Sequence, residues 1–427
     1  MAACGATHRL LEHGAFHQVF DKGNHPGGHT KTYEYEGGWT FDDGPHVSFT
    51  KDARIQAILA ASIDGDFLSV PTGVNNYWRG HWVKHPAQCN LYGLPTDLVV
   101  RCIADFVSVS SQPMPEVDNY EEWLIAAYGR TFAENFPFSY TRKIHCTEAA
   151  NLTTDWMGPR LYRPSLEEVL RGALSPDTED VHYIEGFRYP RQGGFYSYLE
   201  PIFERSQLHM DHEVVAIRPE TREVEFANGR AVAYSGLVSS IPLPSLIPLI
   251  SGAPDEVVEA ARSLSYSGCV FVNLGIEREL ETPATWTYIY DEDVSITRLS
   301  FPHRFSPEAV PPGCSAIQCE IYYSPRYKPL VEGRDNIART AVADLVRCGV
   351  LRNDDRILLK ETVVSPFANV IFDHDRNAAL RSVHGFLDEV GIKYCGRFGD
   401  WDYLWTDQAF ASGERAAEAA VGDQGQG

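Results

Sequence analysis

The chemistry this chain could carry is concentrated between Val19 and His46. The stretch runs Val-Phe-Asp-Lys-Gly-Asn-His-Pro-Gly-Gly-His-Thr, then a Tyr/Glu segment, then Gly-Gly-Trp-Thr-Phe-Asp-Asp-Gly-Pro-His. Val19 and Phe20 read as the end of a buried strand. Asp21 follows at the place where a dinucleotide-binding unit presents an acid to a ribose hydroxyl, with Lys22 beside it. Gly27-Gly28 comes six residues after Asp21 and has no Cβ to keep a bulky ligand from the backbone. Gly44-Pro45-His46 is a tight turn that holds up an imidazole.

Such residues need strands and a helix to position them. Thr7 to Gly14 reads as the last turns of a helix with a glycine stop. A dinucleotide unit places a strand and a Gly-x-Gly-x-x-Gly loop before that helix, about 20 residues ahead of the acid. Gly5 alone stands in that region, and no strand precedes it. The expectation is a sequence truncated at its start, lacking the first strand and most of the phosphate loop. Two further pieces complete the unit. Phe187-Arg188-Tyr189-Pro190-Arg191-Gln192-Gly193-Gly194 leads into a helical run, a strand over Glu213–Ile217, a hairpin turned at Asn228-Gly229 and a buried strand over Gly236–Ile241. Later, Ile392–Cys395 reads as a strand, and Asp407-Gln408-Ala409 opens an Ala-rich helix whose N-terminus suits negative charge.

"Acid, short loop, Gly-Gly, Phe-Asp-x-Gly-x-His" resembles the flavin amine-oxidase superfamily, which includes protoporphyrinogen oxidases and UDP-galactopyranose mutases. The resemblance implies FAD, with Asp21 on the ribose, Gly27-Gly28 along the pyrophosphate, and Gly44 and His46 against the isoalloxazine. Val215 would touch the adenine end, and Arg397, Asp407 and Gln408 the flavin.

Within the superfamily the chain looks most like the eukaryotic-type UDP-galactopyranose mutases, at Phe41–Phe49, Trp82–Pro95, Trp156–Arg160, Trp286–Ser306 and Gly396–Gln408. That likeness implies the flavin-face histidine at His46, a nearby substrate aromatic at Phe49, substrate contacts at Gln88, Arg160 and Tyr403, and a site-lining tyrosine at Tyr288. Other positions depart from it. His85 and Arg376 stand for tyrosines, and Thr141 and His145 for an asparagine and a tryptophan. Glu277 stands where a diphosphate arginine is expected, with Arg278 beside it. Tyr288 alternates with Trp286 and Tyr290, which suits core packing equally well.

Length and charge bound the rest. The 427 residues suffice for two or three cores. A net charge of −21 argues against nucleic-acid and anionic-membrane partners. The nine scattered cysteines contain no Cys-x-x-Cys and read as reduced thiols, so a cytoplasmic protein without a metal site is expected. The longest apolar run, near Leu237–Ile250, is too short and proline-rich to span a membrane.

The expected fold is α/β: a discontinuous Rossmann-like FAD-binding domain (1–50, 186–250 and 381–427) lacking its first strand, plus an α+β substrate domain with a mixed sheet (51–185 and 251–380). The expected function is a flavin enzyme on a small-molecule substrate, mutase-like on a sugar nucleotide. Two alternatives stand beside it: an oxidase-like dehydrogenase on an apolar substrate, and a non-catalytic relative that holds no flavin.

Overall fold

The computed structural model describes residues 1–158, 161–179, 181 and 184–422. It opens on the helix Ala2–Glu12, which ends before Gly14 at φ +61°, as the glycine stop predicts. This helix packs on the helix Thr406–Gly422 at two glycines. A Cβ on Gly5 would lie 2.0 Å from the Phe410 carbonyl oxygen, and one on Gly413 1.8 Å from that of Ala2. Gly5 therefore serves helix–helix approach and belongs to no loop.

The Rossmann-like part consists of two separate parallel pairs of three-residue strands. Gln18–Phe20 pairs with Gln207–His209, and Leu237–Ser239 with Ile392–Tyr394. They form two sheets rather than one. The strand expected over Gly236–Ile241 is shorter, and Leu237 and Val238 are only half buried. A three-stranded antiparallel sheet, Val214–Arg218, Glu223–Phe226 and Ala231–Ala233, turns at Gly229 as expected.

The largest sheet has seven strands, in the order Ile357–Val370, Tyr266–Ile276, Ser315–Tyr323, Arg298–Ser300, Trp286–Ile289, Val74–Trp78 and His81–Lys84. All neighbours are antiparallel except Trp286–Ile289 with Val74–Trp78. Side chains alternate across a strand, so the two faces differ. One face carries Val270, Val272, Leu274, Ile317, Cys319, Leu299 and Ile289, all fully buried, in one core with Ile337, Ala341 and Leu345 of the helix Arg334–Arg347. The opposite face is polar and aromatic.

A helical layer covers that second face: Thr96–Ser110, Tyr120–Tyr128, Arg130–Asn135, Pro137–Ile144 and Leu166–Leu174. The helices Tyr120–Tyr128 and Arg130–Asn135 part at Gly129, φ +84°, where a Cβ would come within 2.6 Å of the Asp105 side chain. Ser165 and Glu168 form a capping box at the start of Leu166–Leu174. Helices Asp255–Ser263 and Arg376–Glu389 pack together and were not read from sequence. All nine cysteines are unpaired, and among the described residues no helix is long and apolar enough to cross a membrane.

Candidate active site

The site is built around a buried acid that joins two glycine motifs. Asp42, at the end of the strand Trp39–Asp42, accepts from Thr32 Oγ1 at 2.6 Å, Tyr189 Oη at 2.6 Å and Phe195 N at 3.0 Å. It thereby ties Phe41-Asp42-Asp43-Gly44-Pro45-His46 to Arg188-Tyr189-Pro190 and Gly193-Gly194. Burial raises the Asp42 pKa to about 6, against the three donors that lower it. Gly194, φ +65°, leaves room for this junction, since a Cβ there would lie 2.7 Å from Asp42 Oδ1.

The turn after Asp42 is laid on the large sheet. Gln318 Nε2 donates to the Asp42 carbonyl at 2.8 Å, and a Cβ on Gly44 would meet the Phe271 ring at 3.1 Å. His46 lies deep in the protein, and burial pushes its pKa down to about 3, so its ring is neutral. Its Nδ1 is 3.0 Å from the Gly44 carbonyl. A carbonyl only accepts, so Nδ1 carries the hydrogen and Nε2 the lone pair.

From Phe271 a single cross-strand row runs over the polar face: Phe271 opposite Glu320, Glu320 opposite Arg298, Arg298 opposite Tyr288, Tyr288 opposite Asn76. Glu320 is fully buried; it accepts from Arg298 Nε at 2.7 Å and from Tyr322 Oη at 2.5 Å. Arg298 lies equally deep, yet 26% of its side chain is accessible. A side chain set so deep that still keeps accessible surface implies a cavity that reaches it. Burial pulls the guanidinium pKa down, and Glu320, Tyr322 and Tyr288 more than reverse that, so the charge is held. Glu320 takes Nε only, and Nη1 and Nη2 donate to no described residue. A guanidinium pinned at one edge presents its other edge as a two-pronged donor for an oxyanion.

Aromatic side chains wall this cavity. Tyr140, from the helix Pro137–Ile144, meets Tyr288 edge-on at 5.4 Å and Tyr290 at 5.8 Å. His85 stacks at a tilt on Tyr288, 5.2 Å between rings. Tyr403 lies under the Arg397 guanidinium at 5.0 Å and beside Trp156 at 6.2 Å, and His145 backs Trp156 at 5.1 Å. Burial first, and then the phenols of Tyr288 and Tyr403, raise the Tyr140 pKa, while Arg298 opposes them.

The sequence-derived candidates divide accordingly. Gly44, His46, Tyr288, Tyr403 and Arg397 converge around Phe271 and Arg298. Arg397 also holds the chain in place, donating to the carbonyls of Ala368 at 2.9 Å and Leu404 at 2.7 Å. Gln88 sits farther out, its Nε2 on the Tyr162 carbonyl at 3.1 Å. Asp21 accepts from Gly23 N at 2.7 Å and closes its own loop, with Lys22 exposed beside it. Gly27 packs tightly, a Cβ there meeting Lys31 at 2.9 Å, whereas Gly28 faces open space. Val215 is 43% exposed on the three-stranded sheet. Asp407 and Gln408 begin the last helix, where Gln408 Oε1 caps Trp405 N at 2.9 Å. Arg160 lies outside the described residues.

Arg298 and Glu320 were missed. Glu277 lies away from this row. It and Arg278 lie past the end of Tyr266–Ile276, in ion pairs with Arg356 (2.9 Å) and Asp355 (2.5 Å). Six residues of strand separate Glu277 from Phe271, about 20 Å. The signal available in sequence was Arg298 within the alternation of Thr297-Arg298-Leu299-Ser300, a charge where one sheet face should be interior.

Comparison with known proteins identifies the architecture. Residues 1–62 match the model of the NAD(P)-binding Rossmann-like domain family. A reduced UDP-galactopyranose mutase superposes with a TM-score of 0.92 at 23% identity, over 98% of this chain and 91% of that one. A protein from Exiguobacterium sp. 255-15 assigned as a protoporphyrinogen oxidase gives 0.75 at 16%, over 98% and 95%. A redesigned putrescine oxidase gives 0.66 at 12%, over 98% and 96%. The chain shares the fold of these proteins.

The sequence resemblance implies FAD, and the residues present can be tested against it. At the ring end, a neutral His46 and a glycine turn border the cavity beside Phe271. At the other end, Gly28 leaves its backbone open to approach. The helix Ala2–Glu12 has no side-chain cap, and its first turn is buried. The residues at the ring end fit the group.

Proposed function

We propose that the chain is a flavin enzyme acting on an anionic, sugar-nucleotide-type substrate, with chemistry like that of the UDP-galactopyranose mutase whose fold it shares. The observation that carries this reading is the Arg298 fork, fixed by Glu320 at the floor of a phenol-walled cavity. A pocket for an apolar substrate has no use for a deeply placed guanidinium with donors to spare, whereas a diphosphate matches it in charge and geometry.

In this reading the segments 1–50, 186–250 and 381–427 hold the cofactor, and 51–185 with 251–380 hold the substrate. Asp21, Lys22, Gly27, Gly28 and Val215 serve the adenosine and pyrophosphate end. Gly44, His46, Arg397, Asp407 and Gln408 serve the ring. Bound FAD supplies a ring that accepts or donates electrons and, when reduced, offers a nucleophilic nitrogen. The protein's own groups do the rest. Arg298 binds the diphosphate, with Arg160 proposed as its second cation. Tyr288 and Tyr403 orient the substrate through their hydroxyls. Gln88 has its Nε2 committed to Tyr162 and contributes its Oε1 at the rim. His46, neutral at every ordinary pH, supports the ring without adding charge.

The test is turnover. The chemically reduced, flavin-loaded protein is mixed with UDP-galactopyranose and the nucleotides are resolved by chromatography. The expected result is a second UDP-sugar of identical mass, lost in Arg298→Ala. A yellow, reducible protein that leaves the UDP-sugar unchanged contradicts the reading. A protein that purifies colourless and takes up no added FAD favours a relative that holds no flavin.

A further inference from the structure

One cation of the helical layer is buried where lysine is seldom found. Lys143, near the end of the helix Pro137–Ile144, is 5% exposed, and a lysine is almost never so deep unless its donors are used. Its Nζ donates to the carbonyls of Ile289 at 3.0 Å, Asp291 at 2.7 Å and Ile296 at 2.7 Å. An ammonium has three hydrogens and no acceptor, and a carbonyl only accepts, so the group is fully used. The three oxygens form a cage that the chain fills with its own cation.

The cage closes the loop between the strands that carry Tyr288 and Arg298. Trp286–Ile289 and Arg298–Ser300 pair over three rungs, and Tyr288 opposite Arg298 is the rung next to the loop. Ile289 follows Tyr288 directly, Asp291 lies in the loop, and Ile296 stands two residues before Arg298. Toward the helix Arg334–Arg347 the loop has another tie, from Ser295 N and Oγ to Asp344 Oδ2 at 2.7 and 2.6 Å. Lys143 is the counterpart on the cavity side. Tyr140, three residues earlier and so on the same helix face, carries the phenol ring that meets Tyr288 and Tyr290. One ammonium thereby fixes the spacing between Tyr140 and the Tyr288–Arg298 rung.

We propose that Lys143 is a positioning residue for the Arg298 fork: its ammonium, an internal cation in a three-carbonyl cage, holds the loop end of the strand pair so that Arg298 and Tyr288 keep their register toward the ligand. The inference rests on the anionic ligand proposed above and adds what keeps its arginine in place. Without the lysine, buried carbonyls lose their donor, and the strand ends shift to find another. What the cage requires is N–H donors that carry charge, so a small primary ammonium can stand in for the side chain. A polar pocket lined by Ser139, Tyr290, Asp291 and Glu292 opens beside the cage and gives such an ion a way in.

The test uses the full chain and calorimetric titration of UDP into wild type, Lys143→Ala, Lys143→Met and, as a packing control, Leu274→Ala. Burial pulls the Lys143 pKa down to about 7 against the carboxylates of Asp291 and Asp344, so the titrations are run at pH 6, where the third hydrogen is in place. UDP affinity should fall roughly tenfold in both lysine variants, less than the loss of Arg298 itself would cost, and stay unchanged in Leu274→Ala. Lys143→Met keeps the buried stem and carries the comparison if Lys143→Ala folds poorly. Alanine removes the atoms of n-propylammonium, so adding that ion should restore most of the UDP affinity of Lys143→Ala. Tetramethylammonium, a cation with no N–H, should restore none. Equal UDP affinity in wild type and the lysine variants overturns this inference and leaves the Arg298 reading standing. So does an equal loss in Leu274→Ala, or a Lys143→Ala protein that n-propylammonium helps no more than tetramethylammonium does. If wild type binds no UDP, the Arg298 reading fails and this inference falls with it.

Discussion

The two faces of the seven-stranded sheet share the same strands and obey different rules. On the face toward the helix Arg334–Arg347, the neighbours are apolar apart from the Thr287–Asn75 pair, and contact stabilises most of the arrangement. On the face toward the cavity, burial is as deep, but Glu320, Gln318, Asn273 and Asn76 are buried polar groups that each require a partner. A residue added or removed on the first face changes packing. On the second it strands a charge or a donor. Sheets with one sealed face and one satisfied polar face can hold a functional guanidinium rigidly, because the sealed face sets the strand register that brings Glu320 opposite Arg298.

That contrast can be broken at its strongest point first. Glu320→Ala leaves the Arg298 guanidinium deep and unpaired and should cost about 3–5 kcal/mol in denaturant unfolding. It should also release the fork and weaken UDP binding. Leu274→Ala, on the sealed face, should cost about 3 kcal/mol by cavity formation. It should leave UDP affinity unchanged at temperatures where the protein is folded. Equal effects of the two substitutions on UDP affinity would erase the distinction.

Buried histidines give a smaller, pH-dependent effect. Burial pushes His46 down to about 3, and His145 and His303 to about 4, from an ordinary 6.5. Below pH 6.5 the unfolded chain binds protons these three refuse in the folded state, so stability falls as pH falls toward 4. Asp42, raised from 3.8 to about 6, has the opposite sign between those values and offsets one of the three. The slope should be about two protons' worth, roughly 2.7 kcal/mol per pH unit, read from urea unfolding at stepped pH. A flat profile from pH 7 to 5 would contradict it. At the small end, Arg356→Ala removes the exposed pair with Glu277 and should change stability by less than about 0.5 kcal/mol.

How much of this was legible in the sequence follows the same physics. The Asp21–His46 stretch could be read because backbone constraints there demand particular residues: Gly27, Gly28 and Gly44 all have positive φ. Most of the sheet could be read from alternation. The strand Ile357–Val370 could not, because Pro366 interrupts it. The structure tolerates that proline on an edge strand, at a register shift opposite Ser267–Cys269. Arg298 was missed for a different reason. Its meaning depends on Glu320 and Tyr288 arriving from two other strands, and no local pattern encodes that meeting. Glu277 drew attention instead because its position was inferred along the chain, where one displaced strand end moves a charge about 20 Å.

The most direct measurement is a calorimetric titration of UDP into wild type, Arg298→Ala and the surface control Arg356→Ala, all shown to be folded by circular dichroism. The account predicts binding to wild type and to Arg356→Ala alike, with a loss of roughly a hundredfold or more in Arg298→Ala, as expected when a desolvated charge-assisted pair is removed. Equal affinity in all three proteins would show that the anion is held elsewhere.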